Sequence, residues 1–278
     1  MLATLYHLIL LASLCFGSTV GFSQQAEIPA PLAPPLQIST QVEPKLERVT
    51  DQEDENIYRH RDIYFLAGRP NSKVQISLKL KPVHNFDLYV AYTQLMFWDL
   101  GEESSPFADI NFQPELFYSW AIDQNGLKGI DFGLEHRSNG KDGLESRSFD
   151  RGFVQFRSQL GYGTYRLRWD LRLFWVYDID WETSGNIRDY MGFWESRLTL
   201  DSLIEQYFPA KGEVYLQFHP GGALNTQFSR GAIEVGIKYR VRLFKIMPHL
   251  MFQYYYGSME SMLTYDNKSH SYRVGFTF

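Results

Sequence analysis

Cysteine is almost absent from this 278-residue chain, and the one it has, Cys15, lies near the start. Everything downstream is therefore without disulfides or thiol chemistry. Long apolar runs are missing too. After the N-terminal segment no stretch approaches the ~20 apolar residues that a spanning helix needs. Positive charge is also in deficit, with 27 Lys and Arg against 32 Asp and Glu, a net of −5. That balance argues against a general nucleic-acid binder. Aromatic residues, by contrast, are abundant, Tyr and Phe most of all.

The first residues, from Met1 through the apolar run Leu8–Leu14, read as a secretory signal peptide spanning 1–23. Gly21 and Ser23 supply small residues for cleavage after Ser23, although no Lys or Arg opens the segment. Cys15 would leave with it. Leu14 is too large for a good lipoprotein box, so a lipid anchor is not expected. Residues 24–61 carry Pro29, Pro31, Pro34, Pro35 and Pro44 and then the acidic run Asp51–Glu55. This composition predicts a mobile periplasmic tether with no packed core of its own.

From residue 62 to 278 the pattern changes to strict alternation. Val74, Ile76, Leu78 and Leu80 oppose Gln75, Ser77, Lys79 and Lys81. Further on, Leu167, Trp169, Leu171, Leu173, Trp175 and Tyr177 oppose Arg166, Arg168, Asp170 and Arg172. Similar segments recur to the C-terminus, where Tyr272, Val274, Phe276 and Phe278 share one face. A period of two means strands. One face carries Arg and Glu strand after strand, too many for a sandwich core, and across a narrow lumen such charges can pair. The other face is apolar and ends in Tyr and Trp, as interfacial girdles do. The prediction is an all-β fold, an antiparallel transmembrane β-barrel of about twelve strands. Short links at 82–85, 123–126 and 161–164 mark one rim. Long polar links at 99–109, 139–148, 178–189, 219–227 and 258–268 mark the other, which is the extracellular side in such barrels. The link 201–211 is long for its assigned side. A soluble secreted β-sandwich and a non-enzymatic barrel, a small pore or structural protein, are the competing readings.

One hairpin carries chemistry. His136 and Ser138 lie two residues apart on a strand and so point the same way, and Asp150 opens the next strand. By themselves these residues make an ordinary strand edge. Their phase is what matters, since Ile130, Phe132 and Leu134 precede them on the same face and Val154 and Phe156 share that of Asp150. Serine, histidine and an acid on one face are the minimum for acyl transfer. On a barrel's outer wall they would meet lipid esters directly.

The stretch His136-Arg-Ser138-Asn-Gly140, followed by Ser146-Arg-Ser148-Phe-Asp150-Arg151, resembles the catalytic hairpin of the outer membrane phospholipase A family. Glu103-Ser104-Ser105-Pro106-Phe107 and Tyr190-Met191-Gly192 match further segments of it, and the likeness covers roughly 62–278. The resemblance implies a twelve-stranded outer-membrane barrel, active as a calcium-bound homodimer that hydrolyses phospholipid acyl esters. It implies Ser138 as nucleophile, His136 as general base and the Gly140 N–H as oxyanion donor. It places Ca²⁺ on the Lys141 carbonyl and the Ser146 hydroxyl, with Ser104 supplied by the other subunit. Where the family has asparagine this chain has Asp150. Gln94, an amide in the lipid phase between Tyr92 and Met96, is expected on the same grounds in the dimer interface.

Overall fold

The computed structural model describes residues 57–163, 165–201, 211–222, 226–242 and 247–278. The signal peptide, the proline-rich stretch up to residue 56 and most of the link 201–211 lie outside the described residues. Among those described, the strands are β1 (Ile57–Arg59), β2 (Tyr64–Arg69), β3 (Ser72–Leu80), β4 (Leu88–Trp98) and β5 (Phe107–Gln124). They continue with β6 (Leu127–Ser138), β7 (Ser148–Tyr162), β8 (Tyr165–Ile179), β9 (Trp194–Asp201) and β10 (Gly212–Gly221). The last three are β11 (Gln227–Arg240), β12 (His249–Gly257) and β13 (Ser269–Thr277).

Each strand from β3 onward pairs antiparallel with the next, and β13 returns to β2, Val274 facing Ala67. The sheet is closed, which rules out the sandwich. β1 and β2 run along the same edge of β3, Ile57 opposite Leu80 and Tyr64 opposite Gln75. They are two pieces of one stave, so the barrel has twelve staves. Between them residues 60–63 stand where β3 spends only Ile76 and Ser77. The extra length forms a bulge that turns charged side chains inward. Arg61 thereby reaches Glu115 at 2.5 Å and Gln113 at 2.9 Å, while His60 meets Glu115 at 3.2 Å. Residues 57–61 thus belong to the barrel, not to the tether in which composition alone placed them; a three-residue strand is too short to show a period.

Alternation sorts the two faces as the sequence pattern requires. On β6, Asp131 and Glu135 are buried while Phe132 and Leu134 are exposed. Inside, Glu135 contacts Arg151 at 2.9 Å and Arg172 at 3.0 Å, and Arg172 continues to Glu115 at 2.7 Å. Farther round, Lys238 joins Asp62 at 2.5 Å and Glu213 at 2.6 Å. A cavity of about 430 Å³ remains in the lumen, bordered by His60, Arg61, Glu195, Arg197 and Lys238.

The loop 258–268 folds over one end of this lumen. Its Ser261 hydroxyl and Leu263 N–H donate to Asp109 at 2.6 and 3.0 Å, and Met262 N–H donates to Asn111 Oδ1 at 3.1 Å. Glu260 accepts from Arg273 at 2.5 Å and from Ser271 at 2.6 Å, with Lys73 at 3.5 Å. Burial alone would raise the Glu260 carboxyl, but Lys73 and Arg273 overcome it and hold it at about 2. Because the folded value is depressed, the stabilisation is present above the ordinary carboxylate range and is lost as pH falls toward 2. Glu260→Gln should therefore lower barrel stability at neutral pH by about 3 kcal/mol, the cost of breaking a buried ion pair. Thermal unfolding in detergent at pH 7 and at pH 3 checks this: the gap to the native chain should narrow at the lower pH.

Candidate active site on the outer wall

The hairpin β6–β7 carries His136 directly opposite Asp150 and Ser138 opposite Ser148. His136 Nδ1 and Asp150 Oδ1 are 2.9 Å apart on the outward, half-exposed face. This leaves Nε2 as the ring nitrogen available to a hydroxyl. Ser138 shares that face at the strand end; among the described residues no hydrogen bond joins its Oγ to the imidazole. The same two strands present Glu135 opposite Arg151 toward the lumen. Each member of the outer pair thus has a member of a buried ion pair as its chain neighbour, and the register that matches one pair matches the other.

Outside, the wall around the pair is aromatic and close-fitting. Phe112 of β5 lies opposite Ser138. Gly152, next outward after Asp150, faces Trp175 of β8, whose indole fills the space a Cβ would take. A Tyr92 hydroxyl donates to Gln94 Oε1 at 3.1 Å, so the wall amide predicted from the sequence faces outward with one partner in its own strand.

Beyond Ser138 the chain turns through 139–147. Gly140 has φ +65°, and a Cβ there would come within 2.6 Å of Phe112 Cε2. Both facts demand glycine. Asn139, which the sequence reading passed over, is buried and organises the loop. Its Nδ2 donates to the Glu145 carbonyl at 2.8 Å, and its Oδ1 accepts from the Arg147 N–H at 2.9 Å. A turn of 3₁₀-helix, Gly143–Glu145, follows, capped by Asp142 accepting from Gly143 N–H at 2.7 Å. Lys141 and Glu145 pair at 2.8 Å. The Ser-Asn-Gly tripeptide was the available signal for Asn139, but only burial distinguishes it from a solvated loop amide.

Ser146 Oγ donates to Asp180 Oδ2 at 3.1 Å, on the segment after β8. Thr183 also donates to that oxygen, at 2.7 Å, and holds the Asp180 carboxyl below its usual range, with Ser146 adding to the effect. Asp180 was not expected at the site, since 180 lies 34 residues from 146 and only the adjoining of β7 and β8 brings them together. Lys141 carbonyl, Ser146 hydroxyl and the Asp180 carboxylate are all oxygen donors, a set that fits a hard cation such as Ca²⁺. Among the described residues no group of three His, Cys, Asp or Glu is suited to a metal. Ser104 stands exposed, with φ +62°, on the loop 99–106 of the same rim. Among the described residues no hydrogen bond joins it to Lys141 or Ser146. Tyr190 and Met191 fall in a helical turn, Arg188–Met191, ahead of β9, and Met191 packs into the apolar cluster under the rim.

The phospholipase A1 family model matches residues 36–278. The chain belongs to the phospholipase A1 family. Phospholipase A1 of Proteus vulgaris is 30% identical over 214 residues, covering 72% of this chain and 66% of that protein. The Escherichia coli K12 phospholipase A1 is 28% identical over 208 residues, covering 69% and 62%. The chain thus spans a little under two thirds of the length of these curated relatives. Among solved structures, outer membrane phospholipase A from Escherichia coli superposes with a TM-score of 0.66 at 21% identity, covering 82% of this chain and 94% of that one. The calcium-bound outer membrane phospholipase dimer from Salmonella typhi gives 0.66 at 22% identity, with the same coverage. At such identity the two structures establish a shared barrel fold, and this phospholipase A1 family member has it.

Gly140→Ala tests the loop's geometry in this family member. Forcing an L-residue into left-handed backbone costs about 1–2 kcal/mol, and the contact with Phe112 adds to it. Thermal unfolding should show that loss, and Phe112→Ala in the same chain should recover the steric part alone. An unchanged midpoint for Gly140→Ala would mean that the loop is free to re-form elsewhere.

Proposed function

We propose that the chain is a calcium-dependent outer-membrane phospholipase that hydrolyses acyl ester bonds of phospholipids and lysophospholipids on its lipid-facing wall and acts as a homodimer. The observation that carries this is the 2.9 Å contact of His136 Nδ1 with Asp150 Oδ1, placed outward beside Ser138. Ser138 Oγ attacks the acyl carbonyl as His136 Nε2 takes its proton. Asp150 accepts the Nδ1–H, fixing the tautomer and balancing the imidazolium. The N–H of Gly140 donates to the oxyanion that forms. As the tetrahedral centre collapses, His136 returns the proton to the departing alcohol oxygen, leaving the acyl group on Ser138. Water then enters through the same base and releases the fatty acid.

The residues that would hold calcium are Lys141 through its carbonyl, Ser146 through its hydroxyl, and Ser104 of the partner subunit. Bound there, the ion supplies positive charge against the oxyanion. Asp180, hydrogen-bonded to Ser146, adds the carboxylate that so neutral a set otherwise lacks. The Salmonella typhi relative of this fold is described as a dimer with bound calcium, which agrees with this assembly. By the same reading the loops 99–106 and 139–147 face the cell exterior. The ion pairs that occupy the bore weigh against a small pore.

Ser138→Ala should abolish ester hydrolysis by detergent-refolded protein while the heat-resistant barrel still forms, and EDTA should silence the native chain. Full activity of Ser138→Ala would end the proposal; appreciable conductance of the native barrel in planar bilayers would favour the pore. Ser146→Ala should raise the calcium needed for activity and weaken dimers in crosslinking. Asp150→Asn should keep most of the activity, because an amide oxygen can also accept the Nδ1–H, and Asp150→Ala should not. An Asp150→Asn chain as inactive as Ser138→Ala would show that the position requires charge.

A further inference from the structure

Three rim loops converge on two side chains that take no part in the chemistry above. Arg147 Nη1 donates to the carbonyl of Leu144 at 2.8 Å and to that of Ser146 at 2.7 Å. Its backbone N–H donates to Asn139 Oδ1 at 2.9 Å, so one residue ties both halves of the loop 139–147. The Nε of Arg147 is buried without a hydrogen-bond partner, and the guanidinium carbon lies 5.8 Å from the centre of the Tyr265 ring. That ring is the surface on which the charge rests.

Tyr265 is itself fixed. It is only 5% exposed, its hydroxyl hydrogen-bonds Asn186 Oδ1, and Tyr190 meets its ring edge-on at 5.9 Å. Asn186 and Tyr190 belong to the segment after β8 that begins with Asp180. The loop that carries Tyr265 is anchored at its other end through Ser261, Met262 and Leu263 to Asp109 and Asn111. The loop 139–147, in contrast, has little apolar hold of its own: Leu144, at its tip, is 90% exposed. Polar contacts, most of them hydrogen bonds, give the loop its shape, and exposed ones open at low cost.

We propose that Arg147 and Tyr265 form the positioning device for this loop, transmitting the rigidity of the 258–268 cap to the Gly140 N–H, the Lys141 carbonyl and the Ser146 hydroxyl. The catalytic consequence rests on the function proposed above; the mechanical one does not. Arg147 meets both carbonyls through Nη1 while its flat guanidinium faces a ring, and that planar face is what an ammonium lacks. Neither residue touches substrate in this scheme; both act through the loop.

Hydrogen exchange in detergent and calcium titration of hydrolysis test it together. Arg147→Ala and Tyr265→Leu should both speed backbone exchange across 139–146 while the strands exchange as before. Both should lower kcat and raise the half-saturating calcium concentration by ~10–100-fold, the usual cost of losing an outer-shell support, with KM little changed. Tyr265→Phe keeps the ring and should stay near the native values, which also guards against reading a folding failure of Tyr265→Leu as support. Arg147→Lys should behave as Arg147→Ala. Native exchange in Arg147→Ala would overturn the proposal, as would a raised calcium requirement in Arg147→Ala with none in a folded Tyr265→Leu. Should Ser138→Ala prove fully active, the function fails, and the exchange data alone still decide the brace.

Discussion

Neutralisation of charge inside the bore is the constraint on which this barrel depends. Glu135 and Arg151 are each about 1% exposed and lie at 2.9 Å from one another, and Arg172 carries the chain of contacts on to Glu115. Charges removed from water so completely are tolerable only in company. Arg172 also lies 3.6 Å above the Phe153 ring, and Arg151 4.1 Å above that of Phe174, so aromatic faces fill the sides that carboxylates leave open. A slip of one residue between β6 and β7 would send these groups into hydrocarbon and bring Leu134 and Phe132 into the bore. The register is therefore held from within, and His136 opposite Asp150 is its external expression.

The outer face and the loops above it solve different problems. On the wall, position comes from strand geometry, and Phe112 and Trp175 leave little freedom around Gly140 and Gly152. On the rim, position comes from polar contacts between loops distant in sequence: Asn139 with Glu145 and Arg147, Ser146 with Asp180, Tyr265 with Asn186. The first kind of order is insensitive to the surrounding loops, and the second depends on several of them at once.

That division also explains what could be read from the sequence. Alternation gave away the staves, their two faces and the shared face of His136, Ser138 and Asp150, because a period of two is local. The barrel membership of Ile57–Arg61 was hidden, since three strand residues followed by a bulge show no period. The roles of Asn139 and Asp180 were hidden for another reason. An asparagine or aspartate in a polar loop has the same local signature whether it is solvated or buried under another loop. Asp180 in particular meets Ser146 only because β7 and β8 are neighbours in the closed sheet. The helical turn Arg188–Met191, in which Met191 is the residue turned inward, was hidden as well, because four residues after a long polar link show no helical period.

On the proposed function, His136 and Asp150 look outward from the wall toward lipid, not into the bore. Anything that meets them arrives by lateral diffusion, so its abundance is a number per unit area of membrane and not per unit volume of solution. Encounter frequency on such a wall follows leaflet composition and fluidity, and diluting the surrounding water leaves it unchanged. A water-soluble compound aimed at these residues must first partition into the bilayer, which makes membrane affinity part of its apparent potency.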